Sequence, residues 1–166
     1  MFKNLFKKSQ EEKDLQIYAP LNGKIVPLED VPDPVFNQKM MGEGIAITPN
    51  EGKVVCPVEG KIVQVPETKH AVGIEAKDGT EILIHIGLET VALKGEGFTM
   101  NVAMGDSVSV GDSLIDFDLD YIKEQASDIV TPIVITNSND GDKSFVMTEE
   151  KEATAGETVL MTVSVK

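Results

Sequence analysis

The chain has 166 residues, 41% hydrophobic and 26% charged, the make-up of one globular domain with a sizeable core. Its formal net charge of −13 argues against a nucleic-acid partner and for a basic or neutral protein partner met at an acidic-rimmed patch. The single Cys56 excludes an internal disulfide framework, and no apolar run approaches the roughly 20 residues of a membrane span.

Residues 1–8 carry Lys3, Lys7 and Lys8 and no acid, with Phe2, Leu5 and Phe6 at helical spacing. Such a segment can lie weakly on an anionic membrane surface, or fray as termini usually do. The start lacks the apolar core of a secretory signal, so the expected location is the cytoplasm. We divide the chain into a basic amphipathic tail, residues 1–15, and one domain, residues 16–166.

From Gln16 onward, short strand-like runs alternate with turn residues: QIYA, GKIVPL, GIAITP, KVVCPVEG and KIVQV. That spacing predicts an all-β sandwich or barrel. Asp33 through Gly42 predicts a helix, with Asp33 as cap, Pro34 at the first position and Gly42 past the end. A second short helix is predicted over Asp120–Ser127. The stretch Ala19–Leu28 repeats as Cys56–Val65, sharing small-Pro-apolar-x-Gly-Lys-Ile-Val-x-apolar, and suggests two related β-motifs in one sandwich. Residues 104–117 hold two Gly-Asp turns, Thr131–Thr136 reads as a buried strand, and residues 137–143 form a polar loop before two closing strands.

Between the repeat and these later strands lies His70–Gly87, HAVGIEAKDGTEILIHIG, which contains both histidines of the chain. Asp78-Gly79 suits a two-residue hairpin turn. That turn pairs Val72 with His85 and His70 with Gly87. It places His70, Val72, Ile74, Leu83 and His85 on one face, and Gly73, Ile82, Ile84 and Ile86 on the other. The two histidines become diagonal neighbours about 7–8 Å apart at the backbone, with Gly87 opposite His70, where any side chain crowds the rings. A three-residue loop shifts the pairing by one and separates the rings.

Two imidazoles on an apolar face can serve a nucleophile, an acid–base pair or a metal site. A hydrolytic zinc site normally needs three protein ligands, and no His-x-His or His-Glu-x-x-His spacing occurs. There is no Gly-x-Ser-x-Gly elbow and no glycine-rich phosphate loop. Phosphoryl transfer through histidine remains, one imidazole attacking phosphorus while the other donates to the developing negative oxygens. A lipoyl-type carrier would need a lysine between methionines at a hairpin tip, and Lys77-Asp78-Gly79-Thr80 lacks them. A purely regulatory binding protein stays open at this point.

Seven stretches then carry a family resemblance: Ala19-Pro20-Leu21-x-Gly23, Glu29–Asp33, Met41–Ile47, Thr68–Ala71, Ile84–Val91, Leu93–Phe98 and Thr131-Pro132. On these the chain resembles the glucose-type enzyme IIA family of the bacterial phosphoenolpyruvate-dependent sugar phosphotransferase system. The resemblance implies an antiparallel β-sandwich of the duplicated hybrid motif type with a few short helices. It implies that His85 takes phosphate on Nε2 from the phosphocarrier protein HPr, that His70 supports that phosphate and that Thr68 orients His70. The phosphate then passes to a cysteine on the IIB domain of a sugar permease. The expectation is that no cofactor is required, with His70 and His85 available as zinc ligands in a regulatory complex. The resemblance carries surface roles to Asp33, Phe36 and Glu89. With Val72, Leu83 and Gly87 from the hairpin, they make the expected partner-binding rim. Relatives often have aromatics where this chain has Pro66, Gly73 and Leu83, which implies a flatter contact face. The tail resembles the membrane-associating tail of free-standing members, implying peripheral contact at the inner face of the membrane, and regulatory partners sensitive to phosphorylation are implied as well.

Overall fold

The two copies of Gly-Lys-Ile-Val become equivalent strands in the computed structural model, which describes residues 14–165. The expected tail therefore lies almost wholly outside the described residues. β1 (Leu15–Tyr18), β2 (Gly23–Pro27) and β3 (Glu43–Pro49) open the first half; β4 (Lys53–Val55), β5 (Gly60–Gln64), β6 (Ala71–Ala76) and β7 (Glu81–His85) open the second. Then come β8 (Phe98–Met100), β9 (Ser107–Val108), β10 (Ser113–Phe117), β11 (Thr131–Ile135), β12 (Lys143–Met147), β13 (Glu152–Ala153) and β14 (Val159–Val165). An eight-stranded sheet in the order β13-β2-β3-β11-β7-β6-β5-β9 is joined by two three-stranded sheets, β1-β14-β12 and β4-β10-β8. Their strand pairs are antiparallel, as the strand pattern predicts.

The order reads the same from either end once the repeat is applied. Ile25 pairs Ile47 in one half and Ile62 pairs Ile74 in the other, and the halves meet where Ile133 of β11 pairs Ile84 of β7. The backbone bonds are reciprocal too: Tyr18 N–H donates to the Pro57 carbonyl over 3.0 Å and Val55 N–H to the Pro20 carbonyl over 2.8 Å. The repeated glycine has one purpose in both copies. A Cβ on Gly23 would strike the Thr48 carbonyl and one on Gly60 the Glu75 carbonyl, so only glycine lets the partner strand approach. The duplication extends further than the sequence repeat suggests, because in the turns entering β10 and β14 Gly111 N–H donates to the Cys56 carbonyl over 2.9 Å and Gly156 N–H to the carbonyl of Ala19, the repeat equivalent of Cys56, over 2.8 Å.

The inner face of the large sheet supplies Ile25, Ile47, Ile62, Ile74, Ile84 and Ile133 to the main core, met by Ile17, Leu114, Ile115, Leu160 and Met161 of the smaller sheets. β11, expected to be buried, is covered on both faces: Ile133 and Ile135 point into that core and Val134 into a second cluster. This second cluster, Leu28, Val31, Phe36, Ala46, Ala71, Leu83, Leu88, Val130 and Val134, lies on the sheet's outer face.

The helix predicted over Asp33–Gly42 is shorter. α1 spans Pro34–Asn37, capped by the Asp33 carboxylate, which accepts from Val35 N–H over 2.9 Å. Lys39, at φ 59°, ends it so that the chain can return to β3, and its ammonium pairs with Glu43 at 3.0 Å. The second helix, α2, runs Leu119–Gln125 under an Asp118 cap, close to expectation.

Candidate histidine site

The hairpin that carries the histidines has a three-residue loop, not the predicted two-residue turn. Ala76 N–H donates to the Thr80 carbonyl over 2.8 Å and Gly79 N–H to the Ala76 carbonyl over 3.0 Å, with Gly79 at φ 89°. Asp78 selects this loop, accepting from Thr80 N–H over 2.9 Å. The register accordingly shifts by one: Ala71 pairs His85, Val72 pairs Ile84 and Ile74 pairs Ile82. Val72 and Ile74 thus join Ile82, Ile84 and Ile86 in the main core. Leu83 and His85 share the outer face with Ala71 and Gly73.

The shift does not separate the rings, contrary to expectation. His70 precedes β6 in a bend, straight after Lys69 at φ 58°, so strand alternation does not extend to it. The two imidazole centroids are 4.8 Å apart and nearly perpendicular, at 82°. The backbone couples them as well, because Ile86 N–H donates to the His70 carbonyl over 2.7 Å.

Each ring is held through Nδ1. His85 Nδ1 lies 2.8 Å from the Gly87 carbonyl oxygen. A carbonyl can only accept, so His85 carries its proton on Nδ1 and leaves the Nε2 lone pair free. His70 Nδ1 lies 2.7 Å from Thr68 Oγ1. His70 is only 8% exposed. Burial, and secondarily repulsion from His85, pushes its pKa down to about 4. Burial also lowers the pKa of His85, opposed by the Gly87 and His85 backbone bonds and the negative charge of Asp33. Both rings are therefore neutral at pH 7.

The expected rim is brought together only in part. Asp33 caps α1 and acts on His85 through its charge. Phe36 is buried, its ring 5.2 Å from the His85 ring, so it walls the site more than it projects from it. Leu83 is buried beside it in the outer cluster. Val72, at 0% exposure in the main core, is not a partner-binding residue; the one-residue register shift turned it inward. Glu89 is exposed, in a left-handed conformation at φ 62°. Gly87 does not face His70: a Cβ there would meet Thr90 Cγ2 at 2.9 Å and the Asp128 carbonyl at 3.0 Å.

Sequence reading missed three exposed apolar side chains adjoining these segments: Val35 on α1, Met40 just after it, and Val91 in the 3-10 turn Thr90–Leu93. They lie on two sequence-distant segments, which leaves no local pattern to read. It also missed the Gly87 carbonyl, which no side-chain motif announces. Among the described residues no group of three or more His, Cys, Asp or Glu could hold a metal ion, and no helix is long and apolar enough to cross a membrane.

Comparison with known proteins gives a consistent picture. Residues 15–141 match the family model described as phosphoenolpyruvate-dependent sugar phosphotransferase system, EIIA 1. The chain is 56% identical over 176 residues to a PTS system glucose-specific EIIA component from Halalkalibacterium halodurans, covering 100% of this chain and 99% of that one. A protein of the same description from Staphylococcus epidermidis is 52% identical over 166 residues, covering 99% of each. Among solved structures, glucose permease IIA from Mycoplasma capricolum superposes with a TM-score of 0.83 at 38% identity, covering 90% of this chain and 96% of that one.

Proposed function

The chain belongs to the EIIA 1 family of the phosphoenolpyruvate-dependent sugar phosphotransferase system, whose members are phosphocarriers, and on that premise we propose that it carries the phosphoryl group on His85 Nε2. The observation that supports this reading is the bond from His85 Nδ1 to the Gly87 carbonyl. With the proton held on Nδ1, the Nε2 lone pair forms a bond to phosphorus as the P–N bond in phospho-HPr breaks. The product is a phosphoimidazolium that keeps its Nδ1 proton. Its positive charge is stabilised by the Gly87 carbonyl and by Asp33. In the next step a cysteine sulfur on the IIB domain of a glucose-type permease attacks phosphorus, and His85 leaves as neutral imidazole, a good leaving group. No proton moves at His85 in either direction.

His70, neutral because it is buried, serves as donor to the phosphoryl oxygens. That role needs the proton on its Nε2, so the Thr68 hydroxyl donates to His70 Nδ1 across their 2.7 Å contact. Asp33 and Glu89 form the acidic rim that meets a basic partner, and Val35, Met40 and Val91 give its apolar contact. Regulatory partners docking on the same face would sense the doubly charged phosphate. The reaction requires no metal; zinc held by the two imidazoles in a regulatory complex would need further ligands from the partner. The domain works in the cytoplasm, and residues 1–8 add weak contact with anionic lipid.

The test is the intact mass of the chain after incubation with phosphoenolpyruvate, enzyme I and HPr, with the site located by fragmentation at neutral pH. One phosphate on His85 is expected. A wild-type chain that takes no phosphate would overturn the reading.

A further inference from the structure

Thr90 is a fully buried polar side chain that the transfer chemistry above does not use. Its hydroxyl donates to the Ile86 carbonyl over 2.6 Å, and its methyl group fills the space beside the Gly87 Cα. The turn it closes is a demanding one. Gly87 at φ 69° and Glu89 at φ 62° are both left-handed, and a residue other than glycine rarely adopts that conformation without support.

The bonds fall on the two peptide planes that flank Gly87. The Ile86–Gly87 plane is held by Thr90 through its carbonyl. The Gly87–Leu88 plane is held through its N–H, which Leu88 donates to the Asp128 carbonyl over 2.8 Å. In a trans peptide the C=O and N–H point in opposite directions. A plane anchored by its N–H to Asp128 therefore aims the Gly87 carbonyl the other way, at His85 Nδ1, where the 2.8 Å contact is seen. Fixing both planes fixes the backbone angles of Gly87. The three groups line up as Asp128 carbonyl, Leu88–Gly87 peptide and His85 ring, each polarising the next.

We propose that Thr90 is a positioning residue for phosphoryl transfer: its hydroxyl locks the Ile86–Gly87 peptide so that the Gly87 carbonyl keeps the His85 proton on Nδ1 and leaves Nε2 free. This deepens the reading that His85 is the phosphate carrier and rests on it. Losing the hydroxyl frees one plane, the carbonyl drifts from Nδ1, and a share of His85 molecules moves its proton to Nε2. Those molecules have no lone pair at the attacking nitrogen.

The experiment compares wild type, Thr90→Val and Thr90→Ser, each checked for folding by thermal melting. The first readout is the His85 tautomer from ring nitrogen chemical shifts in the unphosphorylated protein, which needs no partner. The second is the rate of phosphate acceptance from phospho-HPr. Wild type shows the Nδ1–H form. Thr90→Val shifts toward Nε2–H and slows acceptance roughly 10–100-fold, the scale of a small misplacement of reacting groups. Thr90→Ser, which keeps the hydroxyl, restores both. A folded Thr90→Val protein with the wild-type tautomer and rate would overturn the proposal, as would a Thr90→Ser protein as impaired as Thr90→Val. Should the valine variant not fold, the wild-type Thr90 hydroxyl proton decides: slow exchange with water is expected, and fast exchange contradicts the lock. If wild type takes no phosphate but shows the Nδ1–H form lost in Thr90→Val, the carrier reading has failed and the positioning device has not.

Discussion

The two halves of the duplicated fold share one scaffold and have different fates. By the pairing that relates them, Glu43 in the first half stands where His70 stands in the second, and Val134 where His85 stands. What separates the halves is the connection from the outer strand to its neighbour. Residues 28–42 link β2 to β3, while residues 65–70 suffice from β5 to β6. The longer connection lays Leu28, Val31 and Phe36 over the outer face of β3 and β11, so Val134 is sealed in a core. The shorter one covers less of the corresponding face: Ala71 and Leu83 are still buried, but His85 stays half-buried beside His70, with Phe36 as a wall. A duplicated sheet thus offers two similar positions, and loop length decides which becomes core and which becomes site.

This contrast predicts opposite failures in the two halves. His85→Ala should abolish phosphate acceptance in a domain that still folds. His70→Ala should keep a nucleophile but lose a donor, accepting phosphate about 10²–10³-fold more slowly. Leu28→Ala, in the covering connection, should cost about 2–5 kcal/mol of stability by denaturant titration, with normal acceptance per folded molecule. A Leu28→Ala chain that melts like wild type, or one that folds but accepts nothing, would break the division.

A smaller effect is expected at Gly87. Gly87→Ala places a methyl group against Thr90 and Asp128 and forces a left-handed alanine, at a cost of about 1–2 kcal/mol. Thermal melting should show that loss. Acceptance should slow because the Gly87 carbonyl moves, not because the rings are crowded. An unchanged His85 tautomer alongside a slowed rate would contradict this mechanism.

The pH dependence separates the two imidazoles from ordinary surface histidines. His70 titrates near 4 in the folded chain against about 6.5 when unfolded. Between those values the unfolded chain binds more protons, so stability contributed through His70 falls as pH falls through the window and is constant above it. The proton resonances of His70 should show a midpoint near 4. The stability advantage of wild type over His70→Ala should shrink from pH 7 to 4.5. A midpoint near 6.5 would contradict the burial of this ring.

The smallest effects belong to charge. Glu89→Lys should slow association with HPr and flatten its salt dependence, because opposite charges steer encounter. Lys143 lies at the far end of the hairpin, where its ammonium pairs with Asp78 at 3.3 Å and donates to the Asp78 carbonyl over 2.9 Å. Lys143→Ala should cost at most about 1 kcal/mol of stability and leave phosphate acceptance unchanged.

Much of this was legible in the chain itself. The strand runs and the Gly-Lys-Ile-Val repeat give the fold class, and the concentration of both histidines in one hairpin gives the address of the candidate site. The register was not legible. Asp78-Gly79 serves both a two-residue turn and a three-residue loop, and only the Asp78 carboxylate bonded to Thr80 N–H decides between them. The wrong choice sent Val72 outward. It was offset at the rings by the left-handed Lys69, which frees His70 from strand alternation and which nothing in Thr68-Lys69-His70 announces. The second half of the duplication was hidden for a different reason. Its turns keep only a glycine, an acid and a hydroxyl residue, the common vocabulary of turns, and their equivalence shows in the backbone bonds from Gly111 N–H to Cys56 and from Gly156 N–H to Ala19.

On the reading proposed above, His85 reacts through Nε2 while Gly87 holds its other nitrogen. The most direct measurement is a nitrogen and phosphorus NMR spectrum of the intact phosphorylated chain with labelled histidine. One phosphorus resonance coupled to His85 Nε2 is predicted, with the proton retained on Nδ1. Phosphorus coupled to His85 Nδ1, or to either nitrogen of His70, would contradict the account.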